Sequence, residues 1–441
     1  MAHAPDVVPW KALAGENGAG TAAYIVPFDR NGVCTGPQTA DAVVAEAARA
    51  TDVFLFSHGW NNDWTAATRR YDAFITHYLD VRRQWWSHPD RDYRPLLAGM
   101  FWPSAVLVAP GEEAPAIAGD APAPDPESGS DGPAPLTEHL APAQAERLRR
   151  LAGRDRLDER QAAELAALVA PALAGGDELR PDAGPPTAEQ LIEIWARLPA
   201  DRGRSRGRTG GFVDEDATAP PEAAGGLGFL DPRKLIRTAT VLLMKDRAGR
   251  VGGHGVALLL RAVLDAAPDV RVHLVGHSYG CKVVLSALCN GPAPARPVES
   301  VLLLQPAVSG LCFAADVDGA GTPGGYRPAL ARTAQPVVTT FSRHDLPLTT
   351  FFHWAVRRPD DLGDIAIAGA PPSRYAALGG FGPQGVDGQA VTVDVKDPPD
   401  RYGLGPQGPR IVAVRADRSI GGHGDVTNPA TAWALLCQVM G

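Results

Sequence analysis

The pentapeptide Gly276-His277-Ser278-Tyr279-Gly280 is where residue types and spacing in this sequence most plainly allow chemistry. It follows a short apolar run at 270–275 and opens a segment of helical spacing that begins at about Tyr279. A strand, a sharp turn with serine at its tip and a helix would present the Ser278 hydroxyl as a nucleophile. The tip of such a turn takes a strained backbone conformation, and a side chain two residues before or after the serine would clash across it. Gly276 and Gly280 remove both clashes. A serine hydroxyl has too high a pKa to attack a carbonyl unaided at neutral pH. The turn therefore needs an imidazole to take the proton and a carboxylate to orient that imidazole.

This strand, turn and helix, with the elements around them, resembles the α/β-hydrolase superfamily, and within it the lipase- and esterase-like serine hydrolases. The resemblance spans 22–104 and 231–441 and leaves the stretch between unassigned. In that family the acid and then the histidine follow the serine along the chain. His423 stands between glycines after the last strand-like run, 410–414, and is the only histidine beyond it, so the resemblance makes it the general base. Asp345 lies just past the run 336–341, at the sheet edge where ligands gather in open α/β folds, and is the preferred acid. Asp316 and Asp425 are the alternatives. An oxyanion hole would take one N–H from the residue after the nucleophile, Tyr279, and one from the loop after an early strand. That loop is Ser57-His58-Gly59-Trp60, and its His58-Gly59 pair is found at this place in many such hydrolases. Gly59 lets the backbone turn inward, which makes the Trp60 amide the second donor. The resemblance implies cleavage of a small-molecule or lipid carboxylic ester through an acyl-enzyme. The same triad would also serve a thioesterase, an amidase or peptidase, or an acyltransferase. The rival from another class is a hydrolase-like protein that binds a partner without turnover.

These residues need elements to carry them. Strand-like runs fall at 22–28, 52–56, 96–102, 270–275, 300–304, 336–341 and 410–414, most of them apolar on both faces. Helix-length segments lie between and after them, at 39–50, 65–86, 251–267, 279–290 and 429–440. Such alternation predicts an α/β fold: a doubly wound, mostly parallel sheet with helices on both faces. Residues 105–229 interrupt the rhythm as a cap insertion, dividing the core into 1–104 and 230–441. The insertion opens with an acidic stretch rich in Pro, Gly and Ser at 110–135, expected to be disordered. Helical spacing returns with Leu157, Leu165, Leu168, Val169 and Leu173. Thr187 and Gln190 then form a capping box ahead of Leu191, Ile194, Trp195 and Leu198. These cap helices either pack on the core or cover a site. The basic segment 201–211 reads as a solvated hinge, with an anion site as the alternative. Phe351, Phe352, Trp354, the loop 376–381, Trp60 and Trp64 could line an acyl pocket, or belong to the core.

Composition narrows the classes further. Of 441 residues, 45% are hydrophobic and 21% charged, as in an ordinary folded domain. Gly (48) and Pro (41) exceed the usual share, which calls for long loops. A formal charge of −8 repels nucleic acid and anionic membrane surfaces, so no nucleic-acid partner is expected. The five cysteines are odd in number and have no CxxC spacing, which points away from a disulfide framework or zinc and toward a reducing compartment. With no HExxH, P-loop or strand-linked GxGxxG pattern, no metal and no cofactor is expected. No signal peptide or transmembrane run is recognisable, and the expected location is cytoplasmic.

Overall fold

Segments in which nearly every side chain is apolar cannot leave either face in water, so they pair in the middle of a sheet covered on both sides. The computed structural model describes residues 8–13, 21–87, 89, 91–104, 134–173, 186–196, 232–351, 376–405 and 407–441, and its apolar runs do this. The strands are β1 (Lys11–Leu13), β2 (Thr21–Pro27), β3 (Asp52–Ser57), β4 (Pro95–Phe101), β5 (Arg271–His277), β6 (Ser300–Leu304), β7 (Val337–Phe341), β8 (Ala390–Asp394) and β9 (Ile411–Arg415). They form one sheet in the order β1-β2-β4-β3-β5-β6-β7-β9-β8. Every pairing is parallel except β1 with β2.

The helices are α1 (Pro37–Ala47), α2 (Trp64–Trp85), α3 (Ala134–Thr137), α4 (Pro142–Ala152), α5 (Glu159–Val169), α6 (Ala188–Ala196), α7 (Pro232–Arg250), α8 (Ala257–Ala266), α9 (Tyr279–Cys289), α10 (Ala329–Arg332), α11 (Leu378–Phe381) and α12 (Pro429–Val439). Alternate residues of β3 serve two cores, because successive side chains of a strand point to opposite faces. Val53 and Leu55 join the core that holds Val43 of α1, Val263 of α8 and Val283 of α9. Phe54 and Phe56 join the other, with Tyr71 and Phe74 of α2 and Trp433 of α12. Helices thus cover both faces. Among the described residues no helix is long and apolar enough to cross a membrane.

Leu148 of α4, Leu157, and Leu165 and Val169 of α5 are buried in the first core, continuous with the sheet. Thr187 and Gln190 form the capping box: Gln190 N–H donates to Thr187 Oγ1 at 3.2 Å and Thr187 N–H to Gln190 Oε1 at 2.8 Å. The segments 110–133 and 201–211, Leu198, Phe352 and Trp354 lie outside the described residues.

The helix expected at 251–267 is part of a longer one. Its helical backbone starts at Pro232 and passes into α8 through a π-helical turn, Val251–Val256. The glycines there, which look like helix breakers, admit neighbouring chain. A Cβ on Gly252 would sit 2.2 Å from the Val283 carbonyl oxygen, and one on Gly255 2.0 Å from that of Gly32. The short edge strands β1 and β8 are additions to the expected set.

Chain order along the sheet reverses between β3 and β5, the kind of point where ligands bind in open α/β sheets. Register then aligns the elements that matter. Ser57 at the end of β3 pairs with Gly276, and Leu304 at the end of β6 pairs with His277. The loop after β3, the turn after β5 and the residue after β6 therefore leave the sheet side by side.

Candidate active site

Ser278 takes φ +55° and ψ −124°, a backbone conformation that a residue with a side chain rarely adopts. It is held there: Ser278 N–H donates to the Leu304 carbonyl at 3.0 Å, and its own carbonyl accepts from Cys281 N–H at 3.1 Å. Both flanking glycines are sterically required. A Cβ on Gly276 would lie 2.6 Å from Cys281 Cα, and one on Gly280 would lie 2.1 Å from the carbonyl oxygen of Ser57. The elbow is thus pressed against the end of β3.

His423, in the loop between β9 and α12, reaches back to this turn. Its Nδ1 lies 2.8 Å from Asp345 Oδ2 and its Nε2 lies 2.8 Å from Ser278 Oγ. A carboxylate can only accept, so Nδ1 carries the hydrogen and Nε2 is left to accept from the serine hydroxyl. The three residues are 1% (Ser278), 4% (His423) and 0% (Asp345) exposed, so these hydrogen bonds are shielded from competing water. Asp345 Oδ1 also accepts from Leu348 N–H at 3.1 Å. The alternative acids are engaged elsewhere. Asp425 accepts from Gly421 N–H at 3.1 Å and shapes the His423 loop, while Asp316 accepts from Gly319 N–H at 2.8 Å in an exposed turn.

The loop after β3 lies directly on the elbow. A Cβ on Gly59 would sit 2.7 Å from Ser278 Cβ, so only glycine brings this backbone so close to Ser278. The amides of Trp60 and Tyr279 thus belong to segments that touch at Ser278. His58 is a scaffold for the loop. Its Nε2 accepts from Trp102 N–H at 3.3 Å, its Nδ1–H donates to the Gly59 carbonyl at 2.8 Å, and its ring stacks on Trp102 at 5.4 Å. Burial lowers its pKa to about 4, so it is neutral at physiological pH. His277 turns its ring toward His423, donating from Nε2 to the His423 carbonyl at 2.9 Å. Burial, aided by the charge of Arg70, holds its pKa well below the ordinary value. His277 Nδ1 and Trp60 Nε1 are buried without a hydrogen-bond partner.

Three residues important to this arrangement are not singled out by sequence pattern. Gln305, directly after β6, is buried at φ +45° and donates from Nε2 to Asp345 Oδ2 at 2.8 Å. The available signal is a lone polar side chain ending the apolar run 300–304. Asn62 and Arg70 tie the loop after β3 to the histidine loop, and in sequence they look like the polar approach to a helix and an ordinary helical cation. Of the expected pocket residues, Trp60 is buried, whereas Trp64 is 48% and Phe381 40% exposed. An apolar crevice between the sheet and α2, lined by Phe54, Phe56 and Phe74 among others, includes none of the three residues joined at Ser278.

Among the described residues no group of three or more His, Cys, Asp or Glu is placed to hold a metal ion. Comparison with known proteins returned nothing to set beside this geometry: no family model, no curated protein and no solved structure matches the chain.

Proposed function

We propose that this protein is a serine hydrolase of the α/β-hydrolase type that cleaves carboxylic esters. The observation that carries the proposal is the hydrogen-bonded chain from Ser278 Oγ through the His423 imidazole to Asp345, built on a strained turn after β5, the central strand of the mostly parallel sheet. The sheet order, with its reversal between β3 and β5, supports the α/β-hydrolase assignment.

In this mechanism Ser278 Oγ attacks the ester carbonyl carbon while its proton passes to His423 Nε2. Asp345 holds the ring in the tautomer that can accept that proton and stabilises the imidazolium that results. Negative charge develops on the carbonyl oxygen, where the backbone N–H groups of Trp60 and Tyr279 receive it. The ester C–O bond then breaks, and His423 returns the proton to the departing alkoxide, leaving an acyl-serine and an alcohol. Water attacks the acyl carbon, gives a proton to Nε2, and expels Ser278 Oγ, which takes that proton back as the carboxylic acid leaves.

Ester is placed first because the resemblance is to lipase- and esterase-like members. Rates on ester, thioester and amide probes of matched acyl length test it, with Ser278→Ala as control. The ester is expected to turn over fastest and the alanine variant to fall to background. Ester hydrolysis that survives Ser278→Ala would overturn the mechanism, and a faster thioester or amide would change the substrate class while keeping the triad.

A further inference from the structure

The donor at Trp60 can serve an oxyanion only if its peptide plane is held in one orientation, and the structure shows what holds it. The Gly59 carbonyl accepts two hydrogen bonds, from His58 Nδ1 at 2.8 Å and from Asn62 Nδ2 at 3.0 Å. The second hydrogen of the same Asn62 amide goes to the Trp60 carbonyl at 2.8 Å. Among the described residues the only cis peptide is Pro398-Pro399, so the Gly59-Trp60 peptide is trans, and its N–H points opposite to its C=O. Fixing the Gly59 carbonyl on the Asn62 side therefore fixes the Trp60 N–H on the other side. Glycine at 59 leaves that plane otherwise free to rotate.

Asn62 is itself over-determined. It is buried, its N–H donates to Ser104 Oγ at 3.1 Å, and the Ser104 hydroxyl donates back to its carbonyl at 3.1 Å. Its Oδ1 accepts from Arg70 Nε at 3.4 Å, and Arg70 Nη1 donates to the Gly424 carbonyl at 3.1 Å, next to His423. One amide and one guanidinium thus connect the loop after β3 to the loop that carries the imidazole.

We propose that Asn62 is a positioning residue that sets the orientation of the Trp60 oxyanion donor, and that Arg70 locks this donor to the histidine loop so that donor and base keep one relative placement. The inference rests on the hydrolase mechanism proposed above. Asn62 touches no reacting atom in it. Its effect belongs in kcat, because donor orientation matters most where charge has developed on the oxygen.

The test is steady-state ester hydrolysis by the full chain, with kcat taken per site titrated by the acylation burst so that unfolded protein is not counted. Asn62→Ala is expected to lower kcat by about 10- to 100-fold, the scale of a misplaced oxyanion donor, with KM within about twofold. Asn62→Asp is the second variant, since it keeps the size and the Arg70 contact but replaces both N–H bonds with a carboxylate facing two carbonyls; a similar kcat loss is expected. Arg70→Met should lower kcat less, and the Asn62→Ala, Arg70→Met double variant should lose less than the product of the single losses. Wild-type kcat in Asn62→Asp, or losses confined to KM, would overturn the positioning role while leaving the hydrolase reading intact. Wild-type protein without Ser278-dependent turnover would overturn both.

Discussion

Asp345 Oδ2 is shared between two donors, His423 Nδ1 and Gln305 Nε2, each at 2.8 Å. Gln305 is in turn pinned: its Oε1 accepts from Thr340 Oγ1 at 3.0 Å, and its Nε2 also reaches the Gly379 carbonyl at 3.0 Å. A carboxylate whose Oδ2 is also held by Gln305 and whose Oδ1 accepts from Leu348 N–H cannot swing away from the imidazole. Gln305→Leu is therefore expected to lower kcat/KM about tenfold, near the net worth of one hydrogen bond to a charged group. Asp345→Asn, which offers the ring an amide in place of an obligate acceptor, is expected to cost about 10³-fold or more in kcat. Steady-state kinetics on one ester checks both, and an Asp345→Asn enzyme of near-normal turnover would pass the acid role to another carboxylate. At this scale the sequence was most legible where chemistry dictates residue type: Ser278 between Gly276 and Gly280, and a lone histidine after the last strand. Gln305 was not legible, because a glutamine announces nothing until the pairing of β6 with β7 brings it beside Asp345.

Among the elements, the end of the sheet away from Ser278 carries a charge cluster around the buried Asp52 that ties four segments together. Asp52 at the start of β3 accepts from both nitrogens of Arg91 at 2.8 and 2.9 Å, from Arg271 at 3.2 Å and from His273 at 3.1 Å. Arg91 and Arg271 also donate to the Val439 carbonyl, holding the end of α12. Burial pushes the Asp52 carboxyl up, but hydrogen bonds from His273, Thr51 and Arg91 outweigh it and leave the group below the usual carboxylate range. Its contribution to stability is thus present above the ordinary carboxylate pKa and is lost as pH falls through the lowered one. Asp52→Asn leaves the half-buried guanidinium groups of Arg91 and Arg271 without their counter-charge and is expected to destabilise the fold by about 2 kcal/mol in urea unfolding at neutral pH. Gly280→Ala, with its methyl forced against the Ser57 carbonyl oxygen, is expected to cost at least about 3 kcal/mol by the same assay. The central strands were legible because burial on both faces demands continuous apolar runs. The edge strand β8 is largely exposed and carries no such demand, and α7 was not read as continuous with the helix expected at 251–267, where Gly252, Gly253 and Gly255 make room for Val283, Asn290 and Gly32.

The molecule as a whole keeps two buried neutral histidines beside its site, and this shapes its response to acid. His58 has its pKa lowered to about 4 and His277 has its own held well below the ordinary value of 6.5. Between those folded values and 6.5 the unfolded chain binds protons that the folded chain refuses, so stability falls as pH drops below about 6.5. Each histidine contributes a slope of up to about 1.4 kcal/mol per pH unit in that window. His277→Gln, which keeps a donor for the His423 carbonyl but cannot become charged, is expected to flatten the slope of urea-unfolding free energy between pH 6.5 and 5. An unchanged slope would contradict this assignment. The alternation that predicts a mostly parallel sheet comes from local pattern alone, whereas the clamp through Asn62 and Arg70 needs the Gly424 carbonyl, hundreds of residues away in sequence. In the proposed mechanism the hydrogen-bonded chain through His423 to Asp345 activates Ser278. The most direct test of that activation is reaction of the purified protein with a fluorophosphonate, read as intact mass and as the modified peptide, beside Ser278→Ala. One adduct on Ser278 is expected in the folded wild type and none in the variant; a folded wild type that stays unmodified, or an adduct that persists in Ser278→Ala, would show that Ser278 is not an activated nucleophile.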